Sequence, residues 1–436
     1  MAGTVGAVAG LGTARTVLTP LRIGGTTVLR NRLYRAPVLE GAGDGDDAAA
    51  TYAKQFVANA EAGVGLIIQG NSCLYDEGRT SPGMTIVSTR ERMMRLAPMV
   101  EAVHRAGASI WIQVGLGGLF AMEAWHEPYA SQRRHPLLAA AKPPLALRPV
   151  FRRAPIHVMT ADDIRAMATQ YGEVAAWARD AGYDGLQLAS SNAKLLDQLL
   201  SPFWNRRDDE FGGSLDRRAS VLRLIRACIA ERAGDDFTVT VKVPVGEKAP
   251  PFTAHTTWDE GLALCRLVEE WGYDSVTPVL VSVFPDTTLS RGGVPTSLWR
   301  NRAMQMRFRA ASPRRSERAV LTAGYVFGGM AAPFRPVWNR SRFVAVKRVV
   351  SIPVLAVGGI RDAPEVDEIL DGGQADLVGI GRPFYAEPDL ARRILEGSAE
   401  PGLCQYSNLC VPAQMLGMKG ACYNPAVTKA RRQRPG

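Results

Sequence analysis

Two glycine-rich turns are the places where this chain could hold an anion: Val357-Gly358-Gly359-Ile360 and Gly379-Ile380-Gly381-Arg382-Pro383. Each ends a short apolar run that reads as a strand. Glycine lets backbone N–H groups approach a ligand closely, a following helix start adds partial positive charge, and Arg382 adds a full one. Two such turns on consecutive strands point to phosphate, against the plainer reading that strand-to-helix turns often contain glycine. They say nothing about which phosphorylated ligand is held. Near the other end of the chemistry scale stand Cys404, Cys410 and Cys422. As residues, three thiols leave open a metal centre or inert packing.

The elements that must position these groups repeat: a β-branched run, a longer amphipathic stretch, a glycine-containing turn. Strands are predicted over 33–39, 65–69, 109–114, 184–189, 238–243, 274–278, 354–357 and 376–380. Runs such as Val354-Leu-Ala-Val357 are apolar on both faces, as a helix-covered parallel sheet requires. Thr160-Ala-Asp-Asp163 is a capping box, and it opens a helix with Ile164, Met167, Tyr171, Val174 and Ala178 on one stripe. Helices are also predicted over 215–233, 259–271 and 363–370. This alternation predicts an α/β fold, a (β/α)8 TIM barrel. Residues 123–156 and 280–340 are left over as long, irregular insertions after strands 3 and 6, on the face where barrel active sites form. The expected organisation is a flexible arm over 1–17, a barrel over 18–400 and a short cysteine-containing extension over 401–436.

With 436 residues, 46% of them hydrophobic and 22% charged, the composition excludes a disordered or collagen-like chain. No apolar run is long enough to cross a bilayer. The N-terminal stretch carries no Lys or Arg before its Val/Ala run, so it reads as an arm and not a signal peptide. Six scattered cysteines point to a reducing cytoplasm. The net charge of +10 places arginine pairs in stretches read as irregular, among them Arg152-Arg153, Arg314-Arg315 and the tail from Lys429 to Arg434. No dense basic helix face with interleaved aromatics is evident, so neither nucleic acid nor a membrane is an expected partner. A homo-oligomer stays open.

The segment from Ala189 to Arg218 contains Leu195-Leu-Asp-Gln-Leu-Leu-Ser-Pro202, then Asn205-Arg-Arg and Glu210-Phe-Gly-Gly-Ser214. It resembles the most recognisable stretch of the Old Yellow Enzyme family, including its 2,4-dienoyl-CoA reductase and NADH:flavin oxidoreductase branch. The likeness spans nearly the whole chain and fades in the two insertions. It implies an FMN-binding barrel that takes hydride from NAD(P)H. By resemblance, Gly358, Gly359, Gly381 and Arg382 cradle the FMN phosphate, and Gln113 meets the flavin pyrimidine edge. Lys242 lies near N1 and the C2 carbonyl, where a cation stabilises the anionic reduced flavin. Ala36, Pro37 and Gly70 line the isoalloxazine. The C-terminal cysteines resemble a region that holds a [4Fe–4S] cluster on four thiolates, but only Cys404, Cys410 and Cys422 remain, with Ser407 near the missing position.

The departures fall at the substrate. Relatives carry His-x-x-His or His-x-x-Asn to hold the substrate carbonyl and a Tyr to protonate it. This chain has Ala189, Asn192 and, at the Tyr position, Lys194. None of His104, His126, His135, His157 or His255 matches a catalytic position. Asn192 can supply one donor, and Lys194 is either an acid lowered in pKa by desolvation or a structural ion-pair partner. The first reading is an ene-reductase-like FMN oxidoreductase acting on a small molecule, with electrons entering from a nicotinamide or a separate redox protein. A second is a dehydrogenase, N-demethylase or double-bond isomerase acting on an amine or natural product. A third is a flavin-binding subunit without turnover.

Overall fold

The computed structural model describes residues 15–133 and 135–434. Eight strands, β1 (Leu33–Arg35), β2 (Leu66–Cys73), β3 (Ser109–Gly115), β4 (Gly185–Leu188), β5 (Thr238–Lys248), β6 (Ser275–Ser282), β7 (Leu355–Val357) and β8 (Leu377–Ile380), form one parallel sheet. The spatial order is β6-β5-β4-β3-β2-β1-β8-β7, and the parallel bridge between Val276 and Val354 joins its two ends. The helices that follow the strands are α1 (Ala48–Glu61), α2 (Ala97–Arg105), α3 (Ala161–Asp180), α4 (Leu215–Ala233), α5 (Trp258–Glu270), α6 (Arg340–Lys347), α7 (Ala363–Asp371) and α8 (Leu390–Leu395). This is the (β/α)8 barrel that the sequence pattern predicts.

Local chemistry explains where elements begin. Thr160 with Asp163, and Thr257 with Glu260, close reciprocal capping boxes at the starts of α3 and α5. Three aspartates share one job at the foot of the barrel. Asp184, Asp274 and Asp376 accept the backbone N–H of Ile110, Val239 and Val354 at 2.7, 2.7 and 2.8 Å, which pins neighbouring strands in register. The doubly apolar strands are read by both sides of the barrel wall. Val354 and Ala356 pack outward with the helices, while Leu355 packs inward with Leu377, Tyr34, Ile68 and Trp111.

Several expectations need correction. A hairpin, Leu21–Ile23 paired with Thr27–Leu29, inserts Ile23 and Leu29 into the interior cluster, and sequence periodicity gave no sign of it. The insertion after β6 is not irregular: it holds helices Ser297–Arg300, Arg302–Ala311 and Arg315–Ala331. The insertion after β3 contains a parallel pair, Leu137–Ala139 with Ile156–Val158. The basic tail, read as irregular, lies mostly in helix Pro425–Gln433. Of the arm expected over 1–17, residues 1–14 lie outside the described residues, whereas Arg15 is fastened to Asp367 at 2.8 Å.

Candidate active site

Ala36, Gly358 and Gly381 directly follow the last residues of β1, β7 and β8, whereas Gly70, Gln113 and Lys242 lie within β2, β3 and β5. Gly70 is required there by contact. A Cβ at this position would stand 1.5 Å from the Val38 carbonyl oxygen and 2.6 Å from Glu40 Oε2. The loop holding Ala36 and Pro37 can therefore fold directly against β2. Beneath it, Arg35 and Glu40 form a buried ion pair at 2.5 Å, with Arg35 also stacked over Phe56 at 4.9 Å. Burial pushes the Glu40 carboxyl upward, and Arg35 opposes that shift.

Gln113 is buried and donates to Gln187 Oε1 at 2.7 Å, and Gln187 donates in turn to Thr277 at 3.2 Å. Gln187 carried no motif signal, since an interior amide in an apolar strand is recognisable only once the barrel closes.

After β4 the chain turns through Asn192 and Ala193, both left-handed at φ 60° and 54°. Two consecutive non-glycine residues in this region are strained, and the surroundings must hold them. The Leu195–Leu200 turn of helix does so. Asp197 accepts the Ala193 N–H at 2.7 Å, and Gln198 Nε2 donates to the Ala193 carbonyl at 2.6 Å and to the Gly117 carbonyl at 3.2 Å. Gln198 Oε1 also accepts the Leu119 N–H at 3.2 Å, so one side chain clamps the loops after β3 and β4 together. Asn192 is left with a buried carboxamide oxygen that has no partner.

Lys194 follows, and the structure places it with Lys242 at the mouth. Both are half-buried, and neither forms an ion pair with a carboxylate among the described residues. Desolvation lowers each ammonium to about 8, and repulsion from Lys194 adds to the shift at Lys242. The structure thus brings Asn192, Lys194 and Lys242 together.

The turns after β7 and β8 are built from backbone. Gly358 and Gly359 adopt φ 121° and 83°, a region glycine tolerates. The N–H groups of Gly358, Gly359, Gly381 and Arg382 donate to no protein acceptor among the described residues. Arg382 donates to the Asn408 side chain and, at 2.8 Å, to the Arg291 carbonyl; both are neutral, so its charge has no carboxylate partner. Trp338, unmarked in the sequence, lies over the double glycine, where a Cβ at Gly359 would come within 2.8 Å of its ring. Arg291 stacks on the indole at 4.9 Å. These glycines therefore serve packing on one side and present unpaired N–H groups on the other.

Cys404, Cys410 and Cys422 line one small cavity with Arg382, Tyr385 and Tyr406. Burial raises all three thiols, Cys410 to about 11. Among the described residues no group of three or more His, Cys, Asp or Glu side chains is placed to hold a metal ion. Cys404, Cys410 and Cys422 thus share one cavity, and as a donor set they are one thiolate short of the four that a [4Fe–4S] cluster takes. Two of the histidines are occupied elsewhere: His104 meets Asp184 at 2.9 Å and His157 meets Asp163 at 2.8 Å.

A model of the NADH:flavin oxidoreductase / NADH oxidase family matches residues 16–259 and 320–400. The chain is 26% identical over 379 residues to an NADH oxidase of Thermoanaerobacter brockii, covering 86% of this chain and 50% of that protein. It is also 26% identical to an N,N-dimethylglycine/sarcosine dehydrogenase of Chromohalobacter salexigens, covering 94% of this chain and 52% of that one. It thus spans about half the length of these curated relatives. Among solved structures, a 2-naphthoyl-CoA reductase complex superposes with a TM-score of 0.70 at 17% identity, over 95% of this chain and 58% of the other.

Proposed function

This chain belongs to the NADH:flavin oxidoreductase / NADH oxidase family, and from that premise we propose that it is an FMN-dependent reductase passing hydride from NAD(P)H to a conjugated C=C bond. The residues present fit the cofactor. Four unpaired N–H groups and the uncompensated charge of Arg382 would hold its phosphate, and Gln113 and Lys242 would meet the pyrimidine edge. Ala36, Pro37 and Gly70 would flank the ring system. When bound, FMN supplies a hydride donor and acceptor at N5.

The observation that carries the direction of reaction is the pair of lysines, neither of them in a salt bridge among the described residues, with the nearby Asp197 acting to raise Lys194. An activated alkene needs its carbonyl oxygen polarised and its α-carbon protonated. The Asn192 carboxamide can orient that oxygen, and Lys194, an acid of pKa about 8, can deliver the proton at neutral pH. The same two cations would repel an ammonium substrate, which disfavours oxidation of an amine.

The test is anaerobic. NADH or NADPH is expected to bleach the flavin, and a panel of enones and 2-enoates is expected to restore its colour. Bleaching by an amine with no nicotinamide present would establish the dehydrogenase reading instead. A bound flavin inert to every donor would establish a binding subunit.

A further inference from the structure

The helical insertion after β6 is built inside out. Helix Arg315–Ala331 buries only Gly329 among its seventeen residues. Leu321 and Tyr325 pack inward on a cluster around Met304, Phe308 and Ala413. Its outer stripe is nevertheless apolar: Val320, Phe327 and Met330 are 72%, 69% and 67% exposed, and Gly324 and Ala331 continue the same face. On the neighbouring helices, Met306 and Trp299 are 57% and 39% exposed. Between the two longer helices runs an open groove of about 700 Å³, with Trp299, Phe308, Val326 and Phe327 in its walls and Arg309 and Arg318 among its lining residues. Residues 291–335 contain nine arginines and a single glutamate, Glu317, which is already held by Arg153. Seven of these arginines lie between Arg300 and Arg318, on the helices that carry this exposed apolar surface and in the turn between them.

We propose that this insertion docks the protein on an anionic lipid surface, with the Val320–Phe327–Met330 stripe in the acyl boundary and the surrounding arginines on the headgroups. Charge complementarity demands an anionic occupant. A second copy is disfavoured because an isologous contact would set arginine against arginine. An acidic protein is disfavoured because the outer stripe offers no side-chain hydrogen-bonding group, whereas a typical protein interface carries about ten hydrogen bonds. A bilayer boundary needs none, and an apolar face flanked by arginines suits it. A membrane partner is not expected from the sequence, because this apolar face looks like a core face until the fold shows it pointing outward.

The test is co-sedimentation of the full chain with vesicles of phosphatidylcholine alone or mixed with phosphatidylglycerol, together with sedimentation equilibrium without lipid. The anionic vesicles are expected to bind the protein at least about tenfold more tightly, with the difference lost in high salt. Phe327→Ser with Met330→Ser should weaken that binding about tenfold or more while leaving FMN affinity unchanged. Arg309→Ala with Arg315→Ala gives a second variant that spares the apolar packing and should also bind more weakly. Equal binding to both vesicle types, or none to either, overturns the proposal. So does a concentration-dependent dimer that Phe327→Ser with Met330→Ser dissociates, or an acidic protein that competes for the stripe while anionic vesicles fail to bind.

Discussion

Lys194→Met is expected to lower turnover of an enone or 2-enoate by about 10²- to 10⁴-fold, the usual contribution of a positioned general acid. Flavin content should stay near wild type, and the rate of flavin reduction by nicotinamide should change far less than turnover, because the proposed proton transfer belongs to the oxidative half-reaction and loss of the repulsion leaves Lys242 more fully protonated. Only the oxidative half-reaction should slow. The pH profile gives a second signature. Lys194 must carry its proton to donate it, and burial has lowered its pKa to about 8. Turnover should therefore be high below pH 8 and fall as pH rises through that value. In Lys194→Met this limb should vanish. A variant with unchanged turnover and an unchanged pH limb would show that Lys194 takes no part in proton transfer.

The second large effect concerns stability. Glu40→Ala is expected to destabilise the fold by about 3–5 kcal/mol, because it leaves the Arg35 guanidinium buried without its anion. Arg35 and Glu40 are 1% and 0% exposed at their side chains, so water cannot replace the lost partner. The loop from Ala36 to Val38 sits directly against Gly70 above this pair. Loss of the pair should therefore also weaken flavin binding. Denaturant unfolding of the two proteins without flavin measures the first effect, and flavin titration measures the second. A change below about 1 kcal/mol would mean that the pair is not the brace described.

The barrel was legible because its signal is local and repeated. Strands with apolar residues on both faces, such as Val354 to Val357, alternate with helices opened by capping boxes, and each unit reads independently of the others. The two glycine turns were legible for the same reason, since Gly358, Gly359, Gly381 and Arg382 lie close to predicted strand ends. Other features depend on contacts between distant parts of the chain. Trp338 covers the double glycine from a segment that looked like loop, and Gln198 ties Ala193 to Gly117, a residue 81 positions before Gln198 itself. The hairpin at the foot of the barrel has strands of three residues, too short for any alternation to register. The helices after β6 were missed because arginines and apolar residues share their exposed surface, which hides the usual division between a polar and an apolar face. At the C-terminus, the sequence shows three thiols, and the fold adds that they share one cavity with Arg382, Tyr385 and Tyr406.

The grip on a phosphate between β7 and β8 is the claim on which the remaining chemistry rests, and a comparison of FMN with riboflavin tests it most directly. The two share the entire ring system and differ at the phosphate. Titration of the flavin-free protein should show FMN bound at least about 100-fold more tightly, since several charged hydrogen bonds to one anion are each worth about 1.5–3 kcal/mol. Equal affinity for the two, or binding of neither, would contradict the account.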